Sequence, residues 1–435
     1  MPPTKKDNRY AQLSDPEIRE ADIDQDALRV VSRLQRAGFE CYMVGGCVRD
    51  LLLGRSPKDF DIATSAHPRQ VKRLFRNGRI VGRRFKLVHV VYGDHILETA
   101  TFRSKPEVED DSDGDLLIRE DNVYGTAEED ARRRDFTING LFYDPSDHTV
   151  HDFVSGLEDL EDGILRTIGD PFVRIAEDPV RILRAIKFAT RLGFRIEDGT
   201  WSAICELSDE LRRSAAPRVL EEILRLMRSG TSLGAFRMMR ASGSLKVLLP
   251  NVDVHIGKVT DTDPKVHDRA DKYWRLLEAL DADVHAGNLP TNAVLLATLF
   301  LRLIERRVEA QEFPPEDAYA SMDLVSAEID PIASAARFPR KVIERAKKII
   351  VAQRSFARMT SKNFRPLSFM LSNEFEEALH LYRLRCAAWG QGWDHYEAWC
   401  ERYRKVLDMS DEEIQSFKAE NQPPKRRRRR RKRRT

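Results

Sequence analysis

Residues 44–65, VGGCVRDLLLGRSPKDFDIATS, place a glycine pair, one arginine, an apolar turn and two aspartates one residue apart in a single short stretch. The preceding CYM, running into Val44 and the glycines, reads as a buried strand; CVRDLLLG opens a helix that Gly54 closes, and PKDFDIAT returns as a strand. Strand positions two apart face the same way, so Asp59 and Asp61 project together while Phe60 turns inward. Two carboxylates held that close repel unless they share a cation. Mg²⁺ takes hard oxygen ligands and completes its shell with water and phosphate oxygens. Gly45 and Gly46 expose backbone N–H groups at a strand-to-helix turn, where an anion is favoured. Arg49, one turn into the helix, adds a forked cation that fits phosphate oxygens. Taken singly, these residues are a surface DxD, a tight turn and an arginine paired with Asp50 or Asp59. Together they point to a nucleoside triphosphate with a metal, and the absence of GxxxxGKS or GxxxxGKT excludes a P-loop nucleotidase.

The flanks extend this into an α/β or α+β head. Upstream, Leu28, Val31 and Leu34 recur at helical spacing and Gly38 follows as a C-terminal cap. Downstream, HPRQVKRLFR reads as a helix with Pro68 in its first turn. RIVGRR, FKLVHVVYG and HILETATFR then read as a three-strand meander. Residues 104–121 are acidic and poor in apolar side chains, the composition of a mobile insertion. EEDARRRDFTINGLFYD is expected to resume as a helix, and HTVHDFVSG as an edge strand. After residue 170 the pattern turns helical. DPVRILRAIKFATRLG opens on an Asp-Pro cap signal and ends at Gly193, and APRVLEEILRLMRSG repeats that grammar from Pro217 to Gly230. Apolar helical segments recur around 273–280, 293–304 and 341–352.

At 435 residues the chain exceeds one ordinary core, and its 41% hydrophobic content suffices to bury several. Its five cysteines are scattered, with no CxxC pair, against both a disulfide framework and a zinc ribbon; a reducing cytoplasm is the expected compartment. The N-terminus carries no apolar secretory core, and the longest apolar run, AVLLATLFL at 293–301, is short of the ~20 residues that span a membrane, so no transmembrane segment is expected. The net charge of +3 hides an asymmetry: residues 425–434 are all basic, and the remainder carries 63 basic against 70 acidic side chains. Such a block cannot bury itself, and its expected partner is the phosphate backbone of a nucleic acid.

The ordered set GGCVRDLLLG, DFD, RRDFTING and EDPVRILRAIKF, over roughly residues 25–245, resembles the class II tRNA nucleotidyltransferase and poly(A) polymerase family. The resemblance implies an α+β fold: a nucleotidyltransferase head with a mixed sheet and helices (21–170) after a flexible N-terminus (1–20), then an all-α neck that holds the incoming base (171–245), a helical RNA-binding body (246–415) and a disordered basic tail (416–435). It further implies ATP as substrate, Mg²⁺ or Mn²⁺ as cofactor, RNA 3′ ends as partner, with RNA-decay machinery as a further one. By motif, Gly46 and Arg49 would contact the triphosphate, and Asp59 and Asp61 would bind the metal. Asp135 would be the third acid, with Glu98 of ETATFR as its competitor. Arg134 would reach the nucleotide, and Asp178, Arg181, Arg184 and Lys187 would line its pocket. Lys187 stands where family members often carry a fourth arginine; it keeps the charge and loses the fork.

Asp178 and Arg181, three apart at a helix start, are neighbours on one face. An acceptor beside a donor matches the amino group and ring nitrogen of adenine and of cytosine, and mismatches guanine and uracil. The plain reading of Asp178 is a cap before Pro179. That of Arg181, Arg184 and Lys187 is a solvated basic face opposite Ile182, Leu183, Ile186 and Ala189. Two products fit within the family: AMP tails, or the CCA end of tRNA. The basic tail, the GRIVGRRFKLVHVVYG segment with Arg83 and Arg84, and the lone His267–Asp268 pair favour AMP tails. A noncatalytic RNA-binding scaffold would have no need of Asp59, Asp61 and Asp135, and a chaperone driven by the tail would leave residues 1–424 inactive.

Overall fold

The computed structural model describes residues 11–82, 86–104, 123–258, 260–309, 318–335, 339–359, 364–410 and 412–414. The acidic segment, Arg83 and Arg84, and the basic tail fall outside these. The chain divides into two compact units, Met1–Pro250 and Asn251–Thr435.

In the first unit, eight strands form one mixed sheet in the order β1-β8-β7-β2-β3-β6-β5-β4. They are β1 (Ala11–Ser14), β2 (Cys41–Val44), β3 (Asp61–Thr64), β4 (Gly78–Val81), β5 (Leu87–Tyr92), β6 (His95–Thr101), β7 (Leu141–Asp144) and β8 (Thr149–Asp152). Only β3 and β6 run parallel. The expected meander is present as β4, β5 and β6.

Helix α1 (Gln25–Arg36) starts on an Asp24 side chain that accepts the Ala27 N–H at 2.8 Å. It buries Ala27, Val30, Val31 and Leu34 and packs against β2 and β3. Each large apolar side chain so buried contributes about 1.5–3 kcal/mol relative to exposure. Helices α2 (Gly46–Leu52) and α3 (Pro68–Leu74) follow β2 and β3.

α4 (Ala127–Arg132) is far shorter than the helix expected over EEDARRRDFTINGLFYD. Asp130 draws Arg133 and Arg134 onto its own carboxylate, Phe136 bridges to Thr167, and Thr137–Asn139 makes one 3₁₀ turn before β7. The apolar Leu141, Phe142 and Tyr143 then pack as a buried strand.

α5 (Gly156–Glu161) and α6 (Pro171–Glu177) lead to α7 (Arg181–Leu192), ended by Gly193 at φ +77°. The Asp-Pro cap signal operates at 170–171: Asp170 accepts the N–H groups of Phe172 and Val173. The Asp178 side chain caps no helix start: α7 begins beyond Pro179, the carboxylate is taken by Arg218, and the residue instead closes α6 through its backbone N–H. α8 (Asp198–Glu206), α9 (Ala216–Met227) and α10 (Ser232–Ala241) follow, with a two-residue ladder of β9 (Ile164–Leu165) and β10 (Arg195–Ile196).

The second unit is all-helical where described, with long helices at Pro264–His285, Asn292–Glu309, Arg340–Ala352, Phe375–Trp389 and Trp393–Leu407. Trp399 is fully buried there and donates its indole N–H to the Phe356 carbonyl at 3.0 Å. No helix of the described residues is long and apolar enough to cross a membrane.

Candidate active site

The antiparallel register of β2 and β3 sets Val44 opposite Asp61, so the glycine turn that ends β2 lies beside the carboxylates that begin β3. Gly45 sits at φ +77°, and a Cβ there would fall 2.8 Å from Arg134 Nη1. Only glycine meets both constraints without strain. Phe60 is buried and Asp59 and Asp61 are exposed on either side of it, the alternation read from the sequence, although the regular strand starts only at Asp61.

Gly45, Gly46, Asp59 and Asp61 line one cavity of about 540 Å³, together with Arg49, Arg134, Asp135, Asp178, Arg181 and Arg184. Such a volume holds a nucleotide-sized ligand. Of the residues expected at the site, Lys187 and the competing acid Glu98 fall outside the lining; Lys187 Nζ lies 2.7 Å from Glu222 Oε2.

Guanidinium groups dominate one wall. Arg49, 2% exposed, donates from Nε and Nη2 to Asp50 Oδ1 at 2.9 and 2.7 Å and from Nη1 to Asn139 Oδ1 at 2.5 Å. Asn139 in turn donates to Asp135 Oδ1 at 3.0 Å. Arg184 donates from Nε to Asp135 Oδ2 at 2.8 Å, with its Nη2 2.6 Å away. Burial alone would raise the Asp135 carboxyl, but the Arg184 charge, the Asn139 amide and the Phe136 N–H hold it far below the usual carboxylate range. Arg49, Arg184 and Lys187 all stand 5.1–5.4 Å from the Phe188 ring centroid, and that ring is part of the cavity wall.

Asp178 and Arg181 both reach the cavity, but each is held by a different partner. Arg218 of α9 grips Asp178 through both oxygens, at 2.8 and 2.6 Å. Arg181 donates to the Arg174 carbonyl and lies 3.5 Å from Glu177. Arg174 anchors this corner by donating to the carbonyls of Arg133 and Arg134 at 2.6 and 2.8 Å.

The acidic wall is different in kind. Among the described residues, no side-chain hydrogen bond or salt bridge reaches the carboxylates of Asp59 and Asp61. Although solvent reaches the Asp61 side chain, the protein packed around it in the cavity pushes its carboxyl up, Arg134 pulls it back in part, and the neighbouring Glu98 and Asp59 push it further. The parallel register that pairs Ile62 with Thr99 sets Asp61 level with Glu98. Crowded carboxylates left without a cation are the donor set a hard divalent metal ion fits. Asp135, by contrast, already has its cation.

Sequence reading missed Asn139, Arg218 and Phe188, whereas the pairing of Arg49 with Asp50 was among its readings and is present. Asn139 lay in the RRDFTING motif and could have been flagged by its spacing of four from Asp135; Arg218 carries no local signal.

The family model for the Poly A polymerase head domain matches residues 41–166, that described as a probable RNA and SrmB-binding site of polymerase A matches 193–256, and that for the polymerase A arginine-rich C-terminus matches 312–434. Poly(A) polymerase I of Haemophilus influenzae is 42% identical over 262 residues, covering 59% of this chain and 58% of the relative. The Salmonella typhi protein of the same name is 46% identical over 242 residues, 54% and 52%. A CCA-adding enzyme of Lactobacillus helveticus is 39% identical over 217 residues, 50% and 53%. The chain thus spans a little over half the length of these relatives. Among solved structures, the Bacillus stearothermophilus CCA-adding enzyme in complex with CTP aligns at TM-score 0.61 and 24% identity, covering 92% of this chain and 89% of that one, a likeness of fold. With three matched models that together take in more than half of its residues, the chain belongs to the poly(A) polymerase family.

Proposed function

We propose that the chain is a template-independent polynucleotide adenylyltransferase that adds AMP from ATP to RNA 3′ ends and releases pyrophosphate, in the service of RNA processing and decay. The observation that carries this is one cavity lined both by a carboxylate pair, Asp59 and Asp61, that no described side chain hydrogen-bonds, and by Arg49, Arg134, Arg181 and Arg184.

Asp59 and Asp61 are the residues that would hold Mg²⁺ or Mn²⁺. The ion, when bound, would lower the proton affinity of the attacking 3′ hydroxyl and offset charge on the phosphates. Asp135 serves as a positioning residue: it orients Arg184, and through Asn139 it is tied to Arg49. Glu98, level with Asp61, is the better candidate for a third acid beside the pair. The guanidinium wall neutralises the triphosphate, and Gly45 lets the backbone approach it. Little covalent chemistry is asked of the protein, since phosphoryl and nucleotidyl transfer depend on positioning and charge. Asp178, oriented by Arg218, accepts the adenine amino group, while Arg181 donates to the ring nitrogen. The head, neck and body of residues 21–170, 171–245 and 246–415 divide catalysis, base selection and RNA holding, and the basic tail of 416–435 adds RNA phosphate contacts.

The second reading, CCA addition, is favoured by the likeness to CCA-adding enzymes. The two are separated by supplying an unstructured RNA and a tRNA lacking its CCA end with each nucleoside triphosphate alone and with CTP and ATP together. Long tails from ATP on the unstructured RNA support adenylate addition; extension of the tRNA alone, by C, C and A, overturns it.

A further inference from the structure

Apart from the cleft, the first unit carries a second kind of hollow. Gly193 reverses the chain after α7, and Phe194, Arg195 and Ile196 then run beside Trp201 of α8 and Arg237 and Met238 of α10. The groove has a volume of about 420 Å³, and none of its lining belongs to the catalytic cavity. Its floor is apolar and aromatic. Arg195 and Arg237 are exposed at its rim. Arg195 pairs with Asp198 at 2.8 Å, but these side chains are 61% and 95% exposed, and a pair so solvated is readily exchanged for another anion. No carboxylate, amide or hydroxyl side chain lines the groove.

We propose that this groove seats one unpaired nucleotide of the RNA, its base stacked on Trp201 and Phe194 and its adjoining phosphates on Arg195 and Arg237. The proposal rests on the reading of RNA as the polymer extended. Aromatic floor and guanidinium rim are the two components of sequence-tolerant single-strand binding, because every base has a π face and every nucleotide a phosphate. With no side chain placed to read a base edge, the seat accepts any sequence, which suits an enzyme acting on RNA ends of unrelated sequence. The groove also lies within residues 193–256, the span whose matched model names RNA in its description. A protein partner inserting an apolar side chain is the competing occupant. It has no need of two guanidinium groups at the rim.

The test measures binding of the full chain to labelled oligo(A), oligo(U) and oligo(C) across a salt titration. Trp201→Leu is expected to weaken all three about five- to a hundredfold, with Trp201→Phe near wild type. The double change Arg195→Gln with Arg237→Gln is expected to lower the slope of log affinity against log salt by about 1.4, from roughly 0.7 per single-strand phosphate contact. ATP binding should be unmoved in all variants. Wild-type affinity and slope in both Trp201→Leu and the double variant, or a loss confined to one base, overturns the seat and leaves the groove to a protein. Failure of the wild-type chain to bind any of the three overturns the RNA reading itself. Should Trp201→Leu melt early, the double variant at the exposed rim decides alone.

Discussion

Arg184 and Asp135 join α7 to the turn after α4 through a two-point ion pair, Nε to Oδ2 at 2.8 Å and Nη2 to Oδ2 at 2.6 Å. This pair, with Asn139 behind it, ties the guanidinium groups of the cleft together and gives Asp135 a cation of its own. Asp135→Asn should therefore raise KM for ATP and lower stability by about 1–3 kcal/mol, as expected for a lost charged hydrogen bond. Metal affinity, read with Mn²⁺ by electron paramagnetic resonance, should stay near wild type, whereas Asp61→Asn should lose it.

The pH dependence follows from the same pair. Asp135 is depressed in the folded state, so its contribution is fully present above the unfolded carboxylate value of about 4 and is lost as pH falls through the folded value. Unfolding free energies of wild type and Asp135→Asn should differ by a constant amount between neutral pH and about 5, and converge in stronger acid.

Asp61 moves the other way. Its raised carboxyl must shed a proton before a metal ion can bind, so Mn²⁺ affinity should fall as pH falls, beginning at a higher pH than for an ordinary aspartate. Asp59→Asn, which removes a repelling charge, should shift that inflection downward while weakening binding. Asp59→Ala or Asp61→Ala should cut turnover by about a thousandfold or more, with ATP binding partly retained.

Arg218 is half exposed, so Arg218→Ala should change stability by only about 0–1 kcal/mol. Its effect should appear in selectivity instead. With Asp178 released, the ratio of kcat/KM for ATP over GTP should fall about tenfold, the loss of one well-placed hydrogen bond. Arg218→Lys should restore it only in part, because lysine cannot grip both carboxylate oxygens.

How far the sequence could be read depended on how local each feature is. Gly45, Gly46, Arg49, Asp59 and Asp61 lie in one stretch, and strand alternation and turn chemistry alone bring them together. The three-strand meander and the C-terminal ends of α1 and α7, at Gly38 and Gly193, were legible for the same reason. The partners that set the charges were not. Asp178 meets Arg218 forty residues on, and Arg184 meets Asp135 forty-nine residues back, so no periodicity announces either. Lys187 shares a helical stripe with Arg184 but turns to Glu222, a buried acid on another helix. The long helix expected through RRDFTINGLFYD failed because Asp130 captures its two following arginines and Phe136 finds a strand partner at Thr167.

Gly45→Ala should destabilise by about 1–3 kcal/mol, the usual cost of a strained backbone, and should displace the Arg134 guanidinium that a Cβ would meet at 2.8 Å. A thermal melt and the KM for ATP check the two effects separately.

The central claim is tested most directly by incubating the full chain with unstructured RNA, ATP and Mg²⁺ and measuring pyrophosphate released against AMP incorporated, for wild type and Asp61→Asn. One pyrophosphate per AMP in the wild type, with both signals lost in the variant, is the predicted result; extension by Asp61→Asn at the wild-type rate, or no adenylate addition by the wild type, would contradict it.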